Sequence, residues 1–147
     1  MLKHTFVTTL LLASSTLWAG VIEITDAYVR AVPPNLPNSA SFMKIQNKSD
    51  QALYLQRVTS SSAKTLELHE HIMEKGMMKM QQIPHIEIPA KSEIVLKPGG
   101  LHVMLIGLTK PLNVGDNITD FSLFFSNGEE IHLMHLPVKS VMQGMIH

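Results

Sequence analysis

His102-Val103-Met104 is the stretch of this chain with most to offer a metal ion. On an extended strand, residues i and i+2 share a face. The imidazole and the thioether can therefore meet one ion while Val103 points the other way. A second pair, His69 and Met80, flanks the bend Glu74-Lys75-Gly76. A two-residue loop at Glu74-Lys75 makes His69 face Met80, and a three-residue loop leaves them diagonal neighbours. Both registers keep the side chains within reach, because cross-strand Cβ atoms lie about 5 Å apart. Two imidazoles and two thioethers form a soft donor set. Thioether sulfur suits Cu(I), and imidazole accepts either copper valence. Calcium and magnesium want oxygen ligands, and zinc takes Cys, His and carboxylate ahead of thioether.

Cysteine is absent from the 147 residues. That excludes a His₂Cys blue-copper centre and every thiolate mechanism. Carriage or storage of a soft ion is the chemistry left, rather than rapid electron transfer. No paired acid and base and no Ser/His/Asp arrangement points to catalysis.

His-x-Met occurs three times, at 71/73, 102/104 and 132/134. Only the middle copy has a Met twenty-four residues before its Met and a His thirty-three before its His. Taken singly, His69 would be an exposed hairpin residue and Met80 a core filler; the shared spacing turns the balance toward metal. His71 and Met78 form the next rung in the register that pairs His69 with Met80. A solvated histidine and a packed methionine is the favoured reading there, with a supporting or transient contact to the ion as the alternative. Met73 and Met77 flank the bend, as an exposed soft patch or as loop-side packing. Met43 is assigned to the core. His132, Met134 and His135 are read as ordinary sheet residues, with His132 and Met134 on one face of a last strand.

The elements that must position these groups read as strands. Extended segments are expected over 22–31, 41–46, 52–59, 65–73, 77–83, 85–88, 93–97, 101–105, 117–125 and 130–138. Proline-rich 32–38, Pro98-Gly99-Gly100 and Asn127-Gly128 mark the breaks and turns. The expected fold class is all-β, a Greek-key β-sandwich or barrel. Residues 1–19 are expected to be a signal peptide: Lys3, the apolar run 6–12 and a small residue at Ala19 fit export and cleavage. No cysteine lies near that junction, so a bacterial lipoprotein anchor is not expected, nor is stable membrane insertion after cleavage. Residues 20–139 then form one domain and 140–147 a flexible tail. Twelve basic and twelve acidic residues, with no basic stripe, argue against nucleic acid or anionic membrane as partner.

His69, ten residues, Met80, twenty-one residues and His102-x-Met104 resemble the copper motif of the PCu(A)C periplasmic copper chaperones. Asp26-Ala27-Tyr28-Val29-Arg30-Ala31, Glu67-Leu68-His69-Glu70, Gly76-Met77-Met78-Lys79-Met80, Ile86-Glu87-Ile88-Pro89-Ala90 and Leu96 to Leu105 are similar to further blocks of that family. The resemblance implies a cupredoxin-like sandwich in the periplasm that binds Cu(I) through His69, Met80, His102 and Met104. It implies delivery of copper to the CuA centre of cytochrome c oxidase, often beside a Sco-type thiol protein. Copper scavenging for metal resistance is the alternative, with identical ligands. Family tails rich in Met and His imply an auxiliary site at Met142, Met145 and His147.

Overall fold

The computed structural model describes residues 20–140. Its elements are β1 (Ile22–Arg30), β2 (Asn38–Asn47), β3 (Leu53–Thr59), β4 (Ala63–Glu74), β5 (Met77–Gln82) and β6 (Ile86–Ile88). They continue with β7 (Ser92–Leu96), β8 (His102–Leu108), β9 (Asn117–Ile118), β10 (Phe121–Phe125), β11 (Glu130–Leu133) and β12 (Leu136–Lys139). One sheet runs β5-β4-β8-β2-β1-β12-β9, with β7 also paired to β2; the other runs β11-β10-β3-β6. The expected all-β sandwich is the architecture found. Among the described residues no helix is long and apolar enough to cross a membrane.

The two sheets enclose one core, in which Val29, Met43, Ile45, Leu55, Ile88, Val103, Leu105, Phe121 and Leu123 are buried. Alternation puts Val103 and Leu105 into that core, and so turns His102 and Met104 to the outer face of the larger sheet. A bulge in β1 between Thr25 and Tyr28, with Asp26 at φ 53°, changes which residues face inward. Before it Ile22 and Ile24 face the core; after it Val29 does, and Tyr28 turns outward. Tyr28, Ala40 and Phe42 form a second, smaller buried cluster on the outer face, beside the site.

Three expectations need correction. The stretch 117–125 is two strands in different sheets, because the chain turns a corner at Thr119-Asp120. The Asp120 carboxylate accepts there from Ser61 N at 2.8 Å and Ser60 Oγ at 3.2 Å. The stretch 130–138 likewise breaks at Met134-His135, so β11 stays with β10 while β12 crosses to pair with β1. Met134 therefore lies in the break, not on the strand face of His132. The β4–β5 turn is also displaced by one residue. Lys75 and Gly76 both have positive φ, 51° and 76°, the geometry of a tight hairpin turn whose twist matches its strands. Glu74 then pairs with Met77, His71 with Met80 and His69 with Gln82. His69 and Met80 are diagonal, and Met78 faces Met73 rather than His71. The expected leader, 1–19, and the expected auxiliary site at Met142, Met145 and His147 lie outside the described residues.

Candidate metal centre

β4 and β8 pair directly, with His69 opposite His102 and Glu67 opposite Met104. β5 lies on the far side of β4 and places Met80 opposite His71. His69, Met80, His102 and Met104 therefore share the outer face over three adjacent strands. The imidazoles of His69 and His102 lie 5.6 Å apart between ring centroids, and those of His71 and His102 lie 5.2 Å apart.

Hydrogen bonds decide which nitrogens are free. His69 Nε2 donates to Glu67 Oε2 at 2.7 Å, since a carboxylate only accepts. That leaves His69 Nδ1, which is buried with no hydrogen-bond partner. A buried nitrogen lone pair without a partner is costly unless something fills the position; a metal ion on this face would. His102 Nδ1 donates to the Gly100 carbonyl at 3.0 Å, so its Nε2 keeps the lone pair. The same carbonyl accepts from His71 Nδ1 at 3.1 Å. Gly100 is held by its own turn, its N–H donating to the Lys97 carbonyl at 2.9 Å, with Gly99 at φ 81°.

His102 is only 2% exposed, covered on one side by Phe42 at 6.3 Å between ring centroids. Burial pushes its pKa below the ordinary imidazole value; the Gly100 carbonyl works against this, and His71, His69 and Arg30 add to the lowering. The neutral, ligand-competent imidazole is thereby favoured at neutral pH. Among the described residues no three His, Asp or Glu side chains gather closely enough to hold an ion by themselves.

One contributor, Glu67, went unassigned in the sequence, and another, His71, stood there only as an alternative. Glu67 holds His69, and its place two residues before it on the same strand was the available signal. His71 stands inside the cluster because it follows His69 by two residues on β4 and so shares its face beside β8; the shifted turn brings Met80 opposite it.

Residues 22–138 match the LpqE-like family model, and the chain belongs to the LpqE-like family. It is similar to Lxx21020 of Leifsonia xyli subsp. xyli, named as a lipoprotein, at 35% identity over 75% of this chain and 65% of that protein. It is also similar to RP573 of Rickettsia prowazekii, at 27% identity over 68% of this chain and 56% of that protein. The match thus spans less than two thirds of either relative. The solution structure of Cu(I)-bound DR1885 from Deinococcus radiodurans is 32% identical, covers 88% of this chain and 83% of that one, and superposes with a TM-score of 0.63. The copper-bound PCuAC domain from PmoF2 shares the fold, with a TM-score of 0.70 at 22% identity over 84% of this chain and 97% of that domain.

Proposed function

We propose that this chain is an exported copper chaperone, not an enzyme. It binds one Cu(I) through His69, Met80, His102 and Met104 and passes it to an acceptor such as the CuA centre of cytochrome c oxidase or a Sco-type protein. Residues 1–19 serve as its export signal to the periplasm. The observation that carries the reading is the partnerless Nδ1 of His69, buried opposite His102, with Met104 and Met80 on the same face. A soft ion satisfies that nitrogen and matches the sulfurs. The Cu(I)-bound state of DR1885 supports the choice of ion.

The same geometry suits hand-over. The imidazoles are fixed by Glu67 and Gly100, whereas Met80 is 42% exposed on a strand at the sheet edge. A neutral thioether at the rim is displaced ahead of an anchored imidazole, so an incoming acceptor replaces donors one at a time.

The test is anaerobic Cu(I) titration against a chromogenic chelator. One equivalent should bind, and His102→Ala and Met104→Ala should each weaken it at least tenfold, roughly the low end of what disturbing a metal site costs. No uptake, or unchanged affinity in both variants, ends this reading. Transfer to an apo CuA domain distinguishes delivery from scavenging.

A further inference from the structure

Four methionines at the β4–β5 hairpin are largely open to solvent: Met73 66%, Met77 73%, Met78 59% and Met80 42%. Exposure on this scale rules out gap-filling in a core as the reason for choosing Met. The hairpin also separates its faces. One carries the cross-strand pairs Met73–Met78 and His71–Met80, continuous with His69 and His102. The other carries polar pairs: Gln81 donates to Glu70 at 2.7 Å and Lys79 to Glu74 at 3.3 Å. Met77 pairs with Glu74 and so belongs to that second face.

We propose that Met73, Met78 and His71 form a second, outer position for a soft monovalent ion, through which copper enters and leaves the four-donor site. The proposal rests on that site being the ion's destination. Met73 and Met78 are directly opposed, at the separation of about 5 Å between Cβ atoms at which two long thioethers can close on one ion. His71 Nδ1 is committed to Gly100, which leaves Nε2 as its donor. His71 stands between the Met73–Met78 pair and His102, so the ion moves inward from sulfur to nitrogen without leaving soft ligands. Edge strands are commonly guarded by charge; here the charge is confined to the opposite face, and the face toward the site is left to thioethers.

The experiment uses Ag(I), a redox-inert stand-in for Cu(I), and the methionine methyl resonances of the full chain by NMR. The first equivalent should shift the Met80 and Met104 methyls. Beyond one equivalent the Met73 and Met78 methyls should shift, and Met77 should not. In the double variant Met73→Leu/Met78→Leu the second phase should vanish, and release of copper to a chelator should slow by about fivefold or more, an effect on rate rather than on the final complex. Met77→Leu should retain both phases. The proposal is overturned if the Met73 and Met78 methyls do not move, if Met77 moves equally, or if the double variant keeps its second phase. The variant His102→Ala/Met104→Leu separates the two readings. If the inner phase is missing from the wild type while Met73 and Met78 still respond in this variant, the four-donor site fails and the outer position stands.

Discussion

His71 and His102 direct their Nδ1 atoms to one acceptor, the Gly100 carbonyl, at 3.1 and 3.0 Å. One turn thus sets the tautomer of two imidazoles from different strands, leaving both Nε2 atoms as lone-pair donors on the outer face.

Glu67 performs the matching task for His69. Replacing it with Gln should leave the fold intact and weaken Cu(I) binding by about tenfold, the lower end of the loss seen when a ligand's supporting partner is removed. Chelator competition measures this. Unchanged affinity would show that His69 needs no carboxylate to hold it.

The metal-free protein should lose stability on acidification through His102. Its folded-state pKa lies below the ordinary imidazole value, chiefly because of burial. The unfolded chain therefore takes up a proton that the folded chain resists, and stability falls as the pH drops below about 6.5. Urea midpoints measured from pH 7 to pH 5 should decline more in the wild type than in His102→Gln. Equal declines would remove His102 as the source.

The turn that sets the hairpin register depends on Gly76, at φ 76° with nothing within 4 Å of an added Cβ. Gly76→Ala meets no clash there, so its cost is conformational, about 1–2 kcal/mol. Denaturant unfolding gives the value, and strand–strand NOEs between His71 and Met80 show whether the register survives.

Asn47 ties the far end of β2 to its neighbours. Fully buried, its amide donates to the carbonyls of Gln51 at 2.7 Å and Ile88 at 3.0 Å, and its oxygen accepts from Ser49 N at 2.9 Å. Asn47→Ala leaves those groups short of partners and should cost about 2–3 kcal/mol. Copper affinity, measured under folding conditions, should stay as in the wild type because the site lies at the other end of the strand.

Phe42 packs on Tyr28 at 5.3 Å and on His102 at 6.3 Å between ring centroids. Phe42→Ala should cost about 3 kcal/mol through the cavity it leaves. It should also open His102 to water, seen as faster exchange of its ring proton. A protected ring proton in that variant would assign the burial of His102 to its histidine neighbours.

Local chemistry determined much of this protein directly from its residues. The soft donors without a thiol, the i, i+2 placement of His102 and Met104 and the turn at Pro98-Gly99-Gly100 depend only on residue type and strand period. The strand character of the chain and the core placement of Met43 follow from the same local rules. Tertiary structure decided the rest. The hairpin turn is the exception, being local: Lys75-Gly76 forms it because Gly76 takes positive φ freely, and that choice sets His71 opposite Met80. The corners at Thr119-Asp120 and Met134-His135 arise because a strand must change sheets to close the sandwich, and no period in the sequence marks such a crossing. The pairing of His69 with His102 joins residues thirty-three apart. It exists because β4 and β8 bury Leu68 and Val103 together in the core, which leaves the alternate residues of both strands side by side on the outer face.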